Sequence, residues 1–522
     1  MPAFCHYSEK PLQIPFRPAL AAKSPVCMRL SPHTTPPYEI AHPRLWQAAD
    51  PERLQYTGSI APMGPPSKIS VPPVMGVPGP GGAPAGQAVP YAGPIMAAGQ
   101  NIFSRIGFVF LVPFVFFLFS RLLDVTLPQL HLPLILGVLT LTAAFVSGEF
   151  WPALRLMPVR LLILFTVWFC LASIFGVWRG GSFVVFKDYW TKSFLIFLAV
   201  SSLAVTEGRI RLLIRIIAIG IAGAMLVALA IGATDRENRL IMPVGELANS
   251  NGLGILAVLG LPLCWHGASS SGRGKLMAIW SVVAALPMIW VVSRSGSRTA
   301  LLMLGVLFLY ALYQFDWRQR LLLAGIMAPL ALVAFLTAPE TLLTRYATLF
   351  VTSSRQLDEQ ASALDASAVS STEARLHLLE KSLSITFRNP LLGIGPGNFM
   401  VEENKLAETE GRRGNWQVTH NGYTELSAET GVPGFLLYMA ALVSIWRSLG
   451  KLVNRAAGVA AGDSIRHTAT MFRILFFVTA IAIFFGVSLY HYFVPAFFGL
   501  ALGFLRSADA AVGPAMAGFR TQ

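Results

Sequence analysis

The stretch Arg209–Leu240, "RIRLLIRIIAIGIAGAMLVALAIGATDRENRL", starts on two arginines, runs through apolar residues 210–232, and ends in a polar turn holding Arg236 and Arg239. A bilayer core of about 30 Å needs roughly 20 apolar residues per helical crossing, so 210–232 reads as one crossing. The rest of the chain repeats the pattern. Of its 522 residues 54% are hydrophobic and only 13% charged, with a mean hydropathy of +0.59. Soluble domains carry roughly 25% charged residues. The composition therefore predicts an all-α polytopic membrane protein. A net charge of +14 would suit nucleic acid, but the basic residues lie mostly between apolar runs. Positive-inside topology accounts for them there, and no nucleic-acid partner is expected.

Outward from that stretch, twelve transmembrane helices are predicted: 103–123, 130–147, 158–178, 189–206, 210–232, 252–270, 275–292, 299–315, 319–338, 432–449, 471–490 and 493–508. Nine crossings thus fall within 103–338 and three within 432–508, separated by one large segment, 339–431. Residues 1–100 are rich in proline and glycine, as in "VPPVMGVPGPGGAPAGQAVPYAGP", and are expected to be a disordered tail. With that tail inside, the even-numbered connections carry Arg155, Arg160, Arg209, Arg211, Arg273, Lys275, Arg318, Arg320, Arg447, Lys451, Arg455 and Arg466. The odd-numbered short ones are poorer, which places both termini, including the tail 509–522, in the cytoplasm.

Four arginines defy that bias. Arg294 and Arg298 stand in "VVSRSGSRTALL" (291–302), where span seven turns into span eight, and Arg236 and Arg239 stand between spans five and six. Any one could be a helix-end residue snorkelling to the interface. Four in two outward turns point to a bound anion.

The large segment 339–431 also faces outward and is expected to contain short helices. "SSRQLDEQASALDASAVSS" (353–371) is polar and expected to be mobile. "SSTEARLHLLEKSLSITF" follows as an amphipathic helix, with Ser370 and Glu373 as capping box and Leu376, Leu379 and Leu383 as apolar stripe. Arg375 lies on its first turn. "RNPLLGIGPGNF" then forces a turn through Pro390, Gly393 and Gly395. In "VTHNGYTELSAETGVPGFLLY", Asn421 is an N-cap, "GYTELSAET" a short helix, and Gly431 its C-terminal break ahead of Pro433. His420 is held at that helix N-terminus, whose dipole disfavours imidazolium and keeps the ring able to accept a proton.

His420-Asn421, nine residues, then Gly431-Val432-Pro433-Gly434 resembles the H-[NSQ]-x9-G-x-x-G signature of the O-antigen ligase and polymerase superfamily. "SRTALL" (297–302) resembles its Ser-Arg-small-Ala element, and Arg236 to Leu240 its R-x3-L pattern. "EARLHLLEKSLSITFRNPLLGIGPGNF" is similar to the lead-in to its histidine segment. The resemblance covers roughly residues 103 to 510. It implies a bacterial inner-membrane glycosyltransferase that takes a glycan from undecaprenyl diphosphate on the periplasmic face. The acceptor hydroxyl would belong to a lipid A-core sugar in a ligase, or to another lipid-linked repeat in a polymerase.

Such a reaction needs its diphosphate leaving group stabilised. The outer loops lack an acidic cluster at ligand spacing, so no metal and no other cofactor is expected. Guanidinium groups can bind phosphate oxygens in pairs and stay charged. Arg298 is expected to do this with Arg294 and one of Arg236 or Arg239, and Arg375 is a further candidate. His420 is expected to act as general base and Asn421 to orient it or simply cap the helix. Gly393, Gly395, Gly431 and Gly434 are expected to shape the backbone. The complete histidine signature favours a ligase, with a polymerase next. A twelve-span transporter is a third reading, disfavoured because the spans are nearly free of acidic residues that would relay protons.

Overall fold

The computed structural model describes residues 101–269, 274–314, 316–337, 363–409, 411, 417–456 and 462–512. The expected tail 1–100 and the first part of the outer segment lie outside them. Among the described residues the regular elements are helices and one antiparallel pair, β1 (Ala233–Thr234) with β2 (Leu240–Ile241).

The helices run α1 (Ile102–Ser120), α2 (Leu122–Thr126), α3 (Leu132–Val146), α4 (Phe150–Leu154), α5 (Met157–Ile174), α6 (Arg179–Val185), α7 (Thr191–Leu203) and α8 (Glu207–Ile231). After the β pair come α9 (Ser250–Ser269), α10 (Gly274–Ser295), α11 (Arg298–Gln314) and α12 (Trp317–Thr337). The segment after α12 contributes α13 (Ala363–Arg388) and α14 (Phe399–Thr409), and α15 (Gly422–Arg455), α16 (Gly462–Phe484) and α17 (Phe493–Val512) close the chain. Helices lie within all of the apolar stretches read from the sequence, though 103–123 is divided between α1 and α2 and the helix in 471–490 ends at Phe484. Among the described residues six helices, α1, α5, α8, α12, α15 and α16, are long and apolar enough to cross a membrane, and α3, α11 and parts of α10 and α17 are shorter apolar helices. The chain is an all-α, multi-pass membrane protein.

Apolar residues alone do not hold helices together in lipid, so small residues must let backbones approach. Gly499 and Gly503, four apart on α17, do this against α7. A Cβ on the first would meet the Phe197 carbonyl oxygen at 2.7 Å, and one on the second that of Ala204 at 2.5 Å. Helices α8, α9, α16 and α17 form the packed interior through residues such as Ile217, Leu256, Phe472 and Phe497. By contrast α12 has no buried residue, and only a face with Leu323, Ile326, Met327 and Leu330 is partly covered.

The connections gather at two ends. At one, Arg506 pairs with Glu149 at 3.4 Å and Arg209 donates to Ser104 at 2.8 Å. At the other, His491 meets Glu246, and the His420 backbone packs on Gly486.

Two expectations for α13 are corrected. The helix starts no later than Ala363, so Ser370 and Glu373 lie within it and are no capping box, and the segment from Ala363 to Ser371 is helical. The good helix formers of "ALDASA" carry the helix through the capping signature. The buried face is Leu378, Lys381, Ser382, Ile385 and Thr386, while Leu376 and Leu383 are exposed. Lys381 lies 3.8 Å from Glu403 of α14, so an ion pair sits where an apolar stripe was expected.

Candidate functional site

The site is built around the start of α15. Asn421 is its N-cap: the side-chain oxygen accepts the N–H groups of Tyr423 at 3.0 Å and Thr424 at 3.2 Å. This satisfies two of the donors that a helix start leaves open. The helix then breaks at Gly431, whose φ of +70° and ψ of 178° are non-helical. "GYTELSAET" is therefore a short helix of its own, as its sequence suggests.

The end of that short helix is closed by the "PLLGIG" loop. Ile394 N–H donates to the Ala428 carbonyl and Gly395 N–H to that of Glu429, both at 3.0 Å, and Val432 N–H returns to Pro390 at 2.8 Å. Val177, just beyond α5, donates to Ile394 at 2.8 Å. Such threading leaves no room for side chains at the glycines. A Cβ on Gly431 would stand 1.9 Å from the Leu391 oxygen, and one on Gly393 2.4 Å from the Glu429 carbonyl carbon. Gly395 lies against Gly176, and Gly434 sits beneath Trp168, whose indole N–H donates to the Thr430 carbonyl at 2.8 Å.

Glu429, which the sequence reading did not single out, locks the same junction. It is buried, accepts Phe399 N–H at the start of α14 at 3.3 Å, and accepts the Tyr490 hydroxyl at 3.0 Å. A glutamate two residues before the helix-breaking glycine, in an otherwise apolar and small-residue setting, was the available signal.

His420 precedes the cap with a φ of +53° and is half-buried. Burial first, and then the guanidinium of Arg375 on α13, holds its imidazole below the ordinary value. The structure thus brings Arg375 and His420 together. His420 borders a cavity of about 80 Å3, walled also by Glu246, Asn251, Phe485, His491 and Tyr492. His491 Nε2 lies 3.2 Å from Glu246 Oε2. Burial pushes the His491 imidazole down against the pull of Glu246, so the neutral ring donates its N–H to the carboxylate.

The outlying arginines fall into different settings. In the turn from α10 to α11, Gly296 takes a φ of +58°, Ser297 Oγ accepts Ala300 N–H at 3.2 Å, and Arg298 is the first residue of α11, half-buried. That turn packs on α9: a Cβ on Gly254 would meet Ser295 Oγ at 2.6 Å and the Ala300 Cβ at 3.0 Å. Asn251 and Ile255, flanking Gly254, line the cavity, so α9 links Arg298 to the His420 pocket. Arg294 reaches the Thr337 carbonyl at the end of α12, at 3.4 Å. Arg239 is engaged in its own hairpin by Asp235 at 2.7 Å and Glu237 at 3.4 Å, whereas Arg236 is exposed at the tip.

One further arginine at this end escaped the sequence reading because it lies within the first predicted crossing. Arg121 pairs with Asp124 at 2.7 Å and stacks 4.8 Å over Tyr492, bracing the cavity wall. Among the described residues no group of three or more His, Cys, Asp or Glu is placed to hold a metal ion.

No curated protein matches the chain. Residues 283–439 match the family model described as O-antigen ligase, a segment that begins within α10, contains Arg294, Arg298, Arg375 and His420, and ends just beyond Gly434. The match agrees with the resemblance carried by the histidine signature and its lead-in: residues 283–439 are similar to the O-antigen ligase family.

Proposed function

We propose that the chain is a glycosyltransferase of the bacterial inner membrane. In this reading twelve helices cross the bilayer, both termini are cytoplasmic, and the His420 end faces the periplasm. The donor is a glycan on undecaprenyl diphosphate and the acceptor a hydroxyl of a lipid A-core sugar, which makes the chain a ligase. The observation that carries the reading is the setting of His420. It is a half-buried histidine with its basicity lowered, fixed between a capped helix and a small cavity that Glu246, Asn251 and His491 also line.

In the reaction His420 takes the proton of the acceptor hydroxyl as that oxygen attacks the anomeric carbon. The bond from that carbon to the diphosphate breaks, and negative charge grows on the departing lipid diphosphate. Arg298 stabilises that charge with Arg294 and Arg236, and Arg375 stands near enough to help. Fixed charges aimed at developing charge are worth a few kcal/mol each in the transition state. Arg239, neutralised by two carboxylates, supports the hairpin that presents Arg236. The guanidinium groups supply the charge, so no metal or other cofactor is called for.

The test is the surface polysaccharide of a deletion strain complemented with wild type, His420→Ala or Arg298→Ala. Both variants should reach the membrane and fail to restore the pattern. Long chains retained on the lipid carrier above bare core identify a ligase, and single repeats on the core identify a polymerase. Normal patterns from both variants would remove the transferase reading.

A further inference from the structure

A proton that His420 takes from an acceptor hydroxyl must be cleared before the next turnover, and the ring is a poor place for it to stay. Burial and then the charge of Arg375 disfavour the imidazolium. The cavity that His420 borders offers a way out. Its volume of about 80 Å3 is several times the roughly 10–15 Å3 that one buried water needs. A buried water also needs roughly two to four polar partners, and Glu246, Asn251, His420, His491 and Tyr492 supply them along the wall. The wall is firmly built. Asn249 takes the Asn251 N–H on its side-chain oxygen at 2.8 Å, and a Cβ on Gly252 would stand 2.5 Å from the Glu246 carbonyl oxygen.

Glu246 is the one carboxylate on that wall among the described residues. His491, at 3.2 Å, occupies only one of its roughly four acceptor positions. Burial, outweighing the pull of Glu246 and helped by the charge of Arg121, keeps the His491 ring neutral, so it orients the carboxylate as a donor. The Glu246 side chain is 41% exposed, against 15% for His491. The carboxylate therefore borders the cavity and reaches the surface as well. Both residues lie outside the matched segment 283–439.

We propose, on the transferase reading given above, that the cavity holds a short chain of waters that carries the proton from His420 to Glu246, which releases it to solvent. His420 takes one proton from the acceptor oxygen, the waters pass one to a free oxygen of Glu246, and Glu246 gives one to bulk water. Histidine and carboxylate both return to their starting states, and nothing is oxidised or reduced. Positive charge near His420 and negative charge at Glu246 drive the proton in the same direction. His491 is a positioning residue: its N–H holds one carboxylate oxygen and leaves the other to the waters.

The test uses the purified full-length protein in detergent, with lipid-linked glycan extracted from producing cells as donor and a core oligosaccharide as acceptor. Glu246→Gln keeps an oxygen for the His491 N–H and cannot take a proton. It should lower kcat roughly tenfold to a hundredfold, up to the low end of what a positioned proton-transfer group contributes, and leave both KM values unchanged. Glu246→Asp, which keeps the carboxyl group, should retain most of kcat. Glu246→Ala should lose as much as Glu246→Gln. Sodium formate, a carboxylate small enough for the vacated space, should restore part of its kcat where sodium chloride does not. Formate should do nothing for His420→Ala. A wall residue with a purely structural role would change KM or stability and would not respond to formate. Wild-type kcat in Glu246→Gln, or a loss in Glu246→Ala that formate leaves untouched, overturns the inference while the transferase reading stands. A wild type that transfers nothing with both substrates present, or a His420→Ala that transfers normally, overturns both.

Discussion

Gly486 lies directly against the backbone of His420: a Cβ at position 486 would stand 3.1 Å from the His420 Cα and 3.2 Å from its carbonyl oxygen. Gly486 itself has a φ of +107°, a conformation that L side chains rarely adopt. The connection between α16 and α17 is therefore the bed on which the histidine rests. Gly486→Ala should displace His420 and cost about 1–3 kcal/mol in backbone strain. Glycan transfer should fall at least tenfold, while the protein still reaches the membrane in amounts that immunoblotting can compare. Normal transfer by this variant would show that His420 does not depend on this contact.

Arg375 should set the acid limit of the reaction. His420 must be neutral to take a proton, and its pKa lies below the ordinary value of about 6.5. Activity should therefore persist below that pH and fall as pH drops through the lowered pKa. Arg375→Gln removes one of the two causes, so the His420 pKa rises and the acid limb of the rate profile moves to higher pH. Arg375→Lys keeps the charge and should leave the limb near its original place. An unmoved limb in Arg375→Gln would separate the two residues.

Arg298 should not be replaceable by lysine. A guanidinium binds two phosphate oxygens at once, whereas an ammonium acts as a single point charge. Arg298→Ala should lower the transfer rate roughly 10²–10³-fold, the effect of deleting one donor that stabilises developing charge. Arg298→Lys should recover only part of it. Arg239→Ala should change the rate little, because Arg239 is already held by Asp235 and Glu237. Initial rates with lipid-linked donor decide both comparisons, and a fully active Arg298→Lys would refute the two-point clamp.

The helices were legible in the sequence because each apolar run is long, and because length in a bilayer is a stronger constraint than propensity. The break at Gly431 and the cap at Asn421 were legible for local reasons, a glycine before a proline and an Asx residue before a helical stretch. The buried face of α13 was not. It carries Lys381 against Glu403, and a polar pair on the inside is invisible to a search for apolar periodicity. The cavity was not legible either, since Glu246, His420 and His491 are far apart in sequence and meet only because α9, α15 and α17 converge. Arg121 was hidden in a span whose helix ends one residue before it.

Glu429 should prove to be the latch between the histidine helix and the loop that frames it. Its carboxylate is buried, with one oxygen accepting Phe399 N–H and the other the Tyr490 hydroxyl. Glu429→Ala leaves both donors buried without an acceptor, a loss of about 1–3 kcal/mol for each group left unpaired. Glu429→Gln keeps one acceptor oxygen, while its amide nitrogen must face one of the two donors, so it should be intermediate. Tyr490→Phe removes a hydroxyl and leaves only one carboxylate lone pair unused, so it should be the mildest. Thermal unfolding of the detergent-solubilised protein should rank the three in that order below wild type. The loop 390–398 should become more open to proteolysis in the same order, because Gly395 and Phe399 are held by the backbone and side chain of this one residue. If Glu429→Ala melts with the wild type, the junction is held by the backbone bonds to Pro390, Ala428 and Glu429 alone, and the carboxylate must be explained by something other than architecture.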